Sequence, residues 1–186
     1  PPRIPGNEVV LMDPLLSKVA SRVSPREIAE LASKLIRIPS HWDVPTKEKE
    51  VVKAVASFLT IENIPFTLQP VEGSRNNLIA SIKGEGGGRS LALSGHLDTV
   101  PPYNMEVEPF AAKIEGGRIF GRGAVDMKGP VAAMLMTLAA FRRSGVPLKG
   151  DLIFAGVLAE ETNSDGSETL IRSGFRADGV IVGEPS

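Results

Sequence analysis

Apolar residues recur every three or four positions in three long stretches of the chain, which is the spacing of an amphipathic α-helix. The first stretch opens with Ser24, Pro25 and Glu27, a combination typical of a helix N-terminus, and Pro39 ends it. Gly145 closes the third stretch, as glycine commonly does at helix C-termini. The predicted helices cover residues 24–38, 47–63 and about 129–144, and a short fourth helix is predicted near residues 167–173.

Between these helices lie short apolar runs without the helical period, and these are predicted to be strands. The glycine-rich segment Gly84–Gly88 is expected to turn the chain back, so that the strands on either side of it form a hairpin. A smaller hairpin is predicted around Gly116 and Gly117. The predicted strands cover residues 65–70, 77–83, a run beginning at 91, 152–159 and 180–182, with the small hairpin inside residues 112–120.

This order of elements predicts an α/β fold, with a mixed, mostly parallel sheet and helices on both faces. Residues 1–23 lack a sustained period and are expected to form an N-terminal arm or an incomplete first helix. Residues 24–186 are expected to form the main folded domain. No helix follows the run at 180–182, so we expect that domain to be incomplete at its C-terminus.

One histidine and several acidic residues lie where the predicted strands end or where the third long helix begins. The carboxyl ends of strands in an open α/β sheet share one rim, and the positive end of a helix dipole favours a carboxylate. These side chains are therefore expected to converge into most of a two-metal hydrolase site. The candidates are His96, Asp98, Asp126, Glu160, Glu161 and Glu184.

Composition narrows the chemistry further. The 186 residues include no cysteine, so histidine and carboxylates are the only plausible metal donors. With 21 basic and 22 acidic residues the net charge is −1, and no basic run is interleaved with aromatics, which argues against nucleic-acid binding. No apolar run reaches the roughly 18 residues of a membrane span. A soluble cytoplasmic protein without membrane or nucleic-acid partners is expected.

Each candidate also has a structural interpretation. His96 could be a hydrogen-bonded core histidine, Asp126 a first-turn acid of the third helix, and the Glu160-Glu161 pair a solvated strand end. The segment Gly121–Gly123 resembles a fragment of a phosphate loop but is better interpreted as a turn that orients Asp126. The charged run from Lys47 to Lys53 is expected to lie on a solvated helix face.

Four strings resemble a family of metallo-amidohydrolases that includes acetylornithine deacetylase, succinyl-diaminopimelate desuccinylase, aminoacylase and glutamate carboxypeptidase. They occur in the order found in that family, and the resemblance extends over nearly the whole chain from about Ser24. The strings are Ser94–Pro101, Gly121–Gly129, Glu160-Glu161 and Val182–Ser186.

The resemblance implies two divalent metal ions, with zinc as the expected metal and cobalt or manganese as alternatives. His96 and Glu184 would be ligands of one ion, Asp126 would bridge both, and Glu161 would be a ligand of the second. Two catalytic roles are also implied. Asp98 would fix the ring of His96, and Glu160 would act as general base toward the attacking water and return the proton to the leaving amine. The peptide bond after Asp126 is expected to be cis.

The chain departs from the family pattern in two respects. The family takes a second-site histidine from the far C-terminal part of the catalytic domain, and it inserts a lid and dimerisation domain after the Gly183-Glu184-Pro185 stretch. Neither is present, and His41, the only other histidine, is not expected to be a ligand. We therefore expect an incomplete second metal site in a chain that is the N-terminal part of a larger, homodimeric enzyme.

Two hypotheses about function follow. The first is a metal-dependent amidohydrolase that cleaves the amide bond of an N-acyl amino acid, a related amine or a small peptide, as in amino-acid biosynthesis. The second is a catalytically silent, truncated module that binds at most one metal weakly. A sugar or nucleotide binder lacks a phosphate fingerprint in this sequence.

Overall fold

The computed structural model describes residues 13–185. The elements run α1 (Pro14–Ala20), α2 (Pro25–Ile36), α3 (Lys49–Ile61), β1 (Phe66–Glu72), β2 (Arg75–Ile82), β3 (Leu91–His96), β4 (Lys113–Glu115), β5 (Arg118–Phe120), α4 (Lys128–Ser144), β6 (Leu152–Val157), α5 (Asp165–Arg172) and β7 (Gly179–Val182). All predicted helices and strands are present, with ends shifted by a few residues.

The helix ends follow from local chemistry. Ser24 and Glu27 form the predicted capping box of α2, in which the side chain of each residue accepts a hydrogen bond from the backbone N–H of the other residue. Gly145 ends α4 in the left-handed conformation, with φ of 64°. The expected N-terminal arm contains α1, which packs against α4 and has one buried side chain, that of Val19. Residues 1–12 of that expected arm lie outside the described residues.

The main sheet has five strands in the order β1, β2, β6, β3 and β7. Strands β1 and β2 are antiparallel, as are β2 and β6, whereas β3 pairs in parallel with both β6 and β7. The predicted mixed α/β sheet is therefore confirmed, but it is half rather than mostly parallel, because β2 pairs in antiparallel with both β1 and β6. The small antiparallel hairpin of β4 and β5 also forms as predicted.

The predicted hairpin between the strands flanking Gly84–Gly88 is wrong. These strands are β2 and β3, and β6 lies between them and pairs with both. Every residue of β6 is buried, so burial favours a central position for this apolar strand. The glycine-rich segment instead passes the start of β6, where the N–H groups of Glu85 and Gly86 donate to the carbonyls of Leu148 and Lys149.

Helices cover both faces of the sheet, as predicted. Residues of α2, α3 and α4 pack with Leu78, Leu93 and Phe154 in the main core. On the opposite face Leu170 of α5 packs against Ala155 and Val157. Because side chains alternate along a strand, β6 contributes to both layers. Within residues 13–185, no helix is both long and apolar enough to span a membrane.

The charged run from Lys47 to Lys53 is only partly solvated. Glu48 is 3% exposed, and its carboxylate accepts hydrogen bonds from the guanidinium of Arg75 at 2.6 and 2.9 Å. Arg75 comes from the start of β2, so this ion pair joins the loop before α3 to the sheet. The expectation of a solvated face fails for Glu48 because its partner is 27 residues away in sequence.

Candidate metal centre

The fold brings the ends of three parallel strands together. His96 is the last residue of β3 and pairs in register with Val157, the last residue of β6. Glu160 and Glu161 follow β6, and Glu184 follows β7. Strands that run in parallel and in register end at one rim, which is why residues so far apart in sequence meet.

The imidazole of His96 lies at the centre of the cluster. Its Nε2 is 2.9 Å from Oδ1 of Asp126 and 3.4 Å from Oε1 of Glu184. Two groups of three side chains bring their ligand atoms within 4.8 Å of one another, and both include His96. The first group is His96, Asp126 and Glu161, and the second is His96, Glu160 and Glu184. Five of the six predicted site residues therefore present donor atoms to one small volume.

The orientation of the His96 ring is set by its other nitrogen. Nδ1 is 3.0 Å from the backbone carbonyl oxygen of Asp98 and 3.5 Å from Oδ1 of the same residue. The shorter contact is a hydrogen bond, whereas the longer one is at the limit of hydrogen-bonding distance. The carbonyl oxygen of Asp98, more than its expected carboxylate, thus holds the ring with Nε2 toward the acids.

The carboxylate of Asp98 has another set of partners. It accepts the backbone N–H of Glu160 at 3.2 Å and that of Glu161 at 3.0 Å. The side chain is 4% exposed, so these hydrogen bonds replace water. Asp98 therefore joins the end of β3 to the glutamate pair after β6, and in this way it affects where both glutamates lie.

The electrostatics of the cluster favour a cation. Burial by itself lowers the pKa of His96. The neighbouring acids outweigh burial and raise this pKa to about 9, through the hydrogen bond and charge of Asp98, the hydrogen bond to Asp126 and the charge of Glu184. Burial raises the pKa of Glu161, and the neighbouring charge of Asp126 adds to the effect. Burial likewise raises the pKa of Glu184. Carboxylates gathered in this way need a positive charge, either a proton or a metal ion.

Asp126 is presented by the turn that precedes α4. The predicted turn at Gly121–Gly123 forms, and the peptide bond between Asp126 and Met127 is cis, as expected. The sulfur of Met127 accepts the backbone N–H of His96 at 3.2 Å. This contact joins the turn directly to the end of β3.

His41 lies outside the cluster, as expected. It is 7% exposed, and its ring stacks on Phe110 with centroids 6.1 Å apart. Burial lowers the pKa of His41, so the ring is neutral near pH 7. Neither group of potential ligands found within residues 13–185 includes it.

Sequence reasoning missed a buried lysine beside the site. Lys128, the first residue of α4, is 0% exposed, and its Nζ donates to the carbonyl oxygen of Ile38 at 2.6 Å. Burial lowers the pKa of Lys128 to about 7, and the charge of Asp98 partly offsets this effect. Its position two residues after Asp126 is the only sequence signal that could have drawn attention to it.

The donor set fits a divalent metal ion. One imidazole nitrogen and several carboxylate oxygens converge, and the second nitrogen of the imidazole is held by a hydrogen bond, as is usual for metal-ligating histidines. Nitrogen and oxygen donors of this kind suit zinc, and they discriminate weakly against cobalt and manganese. The geometry is therefore compatible with the metal chemistry that the sequence predicts.

Comparison with known proteins agrees with this geometry. Residues 92–186 match the model of peptidase family M20/M25/M40. The chain is 43% identical over 108 residues to a succinyl-diaminopimelate desuccinylase from Methylocella silvestris, covering 54% of this chain and 28% of that protein. It is 39% identical over 163 residues to a putative [LysW]-lysine/[LysW]-ornithine hydrolase from Pyrobaculum aerophilum, covering 86% of this chain and 41% of that protein.

Solved structures share the fold. A dinuclear metal binding peptidase of Bacillus subtilis superposes with a TM-score of 0.62 at 20% identity, covering 90% of this chain and 43% of that structure. The chain thus spans less than half the length of these relatives.

Proposed function

The chain belongs to peptidase family M20/M25/M40, and on this basis we propose that it contributes the metal-binding part of a metal-dependent amidohydrolase. Residues 24–186 would be part of its catalytic domain. The proposed reaction is hydrolysis of the amide bond of an N-acyl amino acid or a related amine. The observation that carries the proposal is the convergence of His96, Asp126 and Glu161 within 4.8 Å of one another at the rim of the sheet.

We assign roles to the side chains of this rim. His96 and Glu184 would hold one divalent ion, Asp126 would bridge it to a second, and Glu161 would hold the second. The second ion would lack part of its ligand set on this chain, because His96 is the only histidine in either potential ligand group found within residues 13–185. The contacts of His96 Nε2 at 2.9 and 3.4 Å support its pairing with Asp126 and Glu184.

Bound metal ions would supply Lewis-acid chemistry, polarising the amide carbonyl and lowering the pKa of water. Glu160 would take a proton from the attacking water and return it to the leaving amine. The hydrogen bond from its backbone N–H to Asp98 fixes the main chain from which this carboxylate reaches the substrate. Asp98 would thereby help to align Glu160 with the reacting water while its carbonyl oxygen orients His96.

The names of the relatives support an acylated amine as substrate. The Methylocella protein is a desuccinylase of succinyl-diaminopimelate, and a Halalkalibacterium halodurans relative, 37% identical over 115 residues, is a deformylase of an aminomethylpyrimidine. Both reactions release an amine from an acyl group. A small acylated amino acid or diamine is therefore the substrate class that we propose.

The alternative is a silent module that binds at most one metal weakly, and membership of a peptidase family does not favour it. Two measurements separate the hypotheses. The purified chain is incubated with zinc or cobalt and assayed on N-succinyl-diaminopimelate and N-acetylornithine, and the metal content of wild type and Asp126→Ala is measured by elemental analysis. Hydrolysis would exclude the silent module, whereas weak binding of at most one metal ion without hydrolysis would favour it. Unchanged metal content in Asp126→Ala would contradict the metal site itself.

A further inference from the structure

Lys128 contacts the metal-site turn through both its backbone and its side chain. Its backbone N–H donates to the carbonyl oxygen of Gly123 at 2.7 Å, which closes the turn that contains Asp126. Its Nζ reaches in another direction and donates to the carbonyl oxygen of Ile38, just after α2. One residue therefore connects the turn before α4 to the end of a helix about 90 positions earlier.

The stem of Lys128 packs beside Gly123. A Cβ placed on Gly123 would lie 3.1 Å from Cδ of Lys128 and 2.8 Å from Cγ2 of Thr99. Gly123 is thus enclosed between these two side chains, and its φ of +80° also favours glycine. Because Thr99 directly follows Asp98, the packing of Thr99, Gly123 and Lys128 joins the two loops that carry Asp98 and Asp126.

Fold stability alone does not explain an amino group at this position. Burying a polar nitrogen is unfavourable unless its hydrogen-bonding capacity is satisfied, and in the part of the chain that the structure describes Nζ of Lys128 has a single hydrogen-bond acceptor. A methionine has a similar length and could fill much of the same space without that cost. The directional bond to Ile38 is what a methionine could not supply.

We propose that Lys128 is a positioning residue for the metal centre, holding the Asp126 turn against the Asp98 loop through its bond to Ile38 and its packing on Gly123. This inference rests on the metal site proposed above. The bond does not depend on protonation, because an amine and an ammonium both donate an N–H. The expected consequence is a set of carboxylates already in place before the metal binds.

The first test is Lys128→Met in the full chain, with zinc affinity and the melting temperature of the metal-free protein measured together. We expect zinc to bind about 10- to 100-fold more weakly, the usual effect of losing an outer partner of a metal ligand. We also expect the metal-free melting temperature to be unchanged or higher. Lys53→Met, the same change at a side chain that is 71% exposed, is the matched control and should bind zinc as wild type does.

The second test perturbs the same contact from the other side. Gly123→Ala forces a Cβ between Thr99 and Lys128, whereas Gly117→Ala adds the same group at nearly the same φ, +75°, with no heavy atom within 4 Å. Both variants carry similar backbone strain, but only the first disturbs the packing. Zinc affinity should therefore fall in Gly123→Ala and stay at the wild-type value in Gly117→Ala.

The outcomes are distinguishable. If wild type binds no zinc, the proposed metal site fails, and this inference fails with it. If wild type binds zinc and both Lys128→Met and Gly123→Ala bind it equally well, the inference alone is overturned. It is also overturned if Lys128→Met lowers the metal-free melting temperature and Gly123→Ala binds zinc as Gly117→Ala does, because Lys128 would then serve stability only.

Discussion

The side chain of Asp98 accepts the backbone N–H of Glu161 at 3.0 Å, across a sequence separation of 63 residues. Its second oxygen accepts the N–H of Glu160 in the same way. The buried carboxylate belongs to neither group of potential metal ligands found within residues 13–185. Instead it connects the strand end that carries His96 to the loop that carries the glutamate pair, so the relative position of these three side chains depends on it.

Asp98→Asn should weaken zinc binding about 10- to 100-fold, because the amide presents an N–H₂ group to one of the two glutamate N–H donors. Competitive titration against a chromogenic chelator measures the change. Asp178→Asn is the matched control, since Asp178 also accepts two hydrogen bonds, from the N–H and hydroxyl of Ser90, but outside the cluster. Equal zinc affinity in Asp98→Asn and Asp178→Asn would contradict the role given to Asp98.

Zinc binding should release about one proton from His96 at pH 7.5, because its pKa of about 9 keeps the ring protonated until a metal replaces the proton. Calorimetry in buffers of different ionisation enthalpy measures the released proton, and zinc affinity should rise with pH up to about 9. A protonation change that is the same in wild type and His96→Gln would show that the proton comes from another group.

The same pKa predicts how the metal-free fold responds to pH. A pKa raised from 6.5 to about 9 stabilises the folded state fully below pH 6.5, and that contribution is lost as the pH rises through 9. The melting temperature of the metal-free chain should therefore fall across this interval, and less steeply in His96→Gln. An equal fall of the melting temperature with pH in wild type and His96→Gln would contradict the prediction.

Substitutions of the two adjacent glutamates, Glu160 and Glu161, should have different effects. Glu160→Gln should retain metal content but reduce hydrolysis about 100- to 10,000-fold, the usual contribution of a general base. Glu161→Gln should reduce metal content, because an amide is a weaker ligand than a carboxylate. Elemental analysis and the amide-hydrolysis assay together measure both effects, and the reverse result would exchange the two roles.

The buried ion pair between Glu48 and Arg75 should matter for stability. Arg75→Met leaves the carboxylate of Glu48 buried without its partner, and breaking such a pair costs about 3–5 kcal/mol in the free energy of unfolding. Arg26→Met is the control, since the side chains of the Arg26–Glu30 pair are 87% and 58% exposed and its loss should lower the free energy of unfolding far less. Urea unfolding of both variants tests the contrast.

Periodicity and turn chemistry were enough to predict the helices, the strands and the rim where the candidate ligands meet. The capping box at Ser24 and the glycine at position 145 act locally, so their effects can be interpreted without knowing the fold. The polar residues after β3, β6 and β7 could likewise be placed together, because strand direction alone brings the ends of parallel strands to one edge.

Pairings between distant segments could not be predicted. The glycine-rich segment between β2 and β3 has hairpin chemistry, but the insertion of β6 between those strands is decided by burial of a strand 70 residues further along. The contacts of Lys128 with Ile38 and of Glu48 with Arg75 have the same origin. The sequence alone does not show that such a charged residue is buried, because its partner lies in a distant segment.

The rim after β3, β6 and β7 should hold a divalent metal ion, and anomalous diffraction from zinc-soaked crystals of this chain would locate it. We predict a zinc peak about 2.0–2.2 Å from Nε2 of His96 and from a carboxylate oxygen of Asp126, the usual coordination distances. The same peak should be absent from crystals of Asp126→Ala. No zinc at this rim, or zinc bound only elsewhere on the chain, would show that these side chains do not form a metal centre.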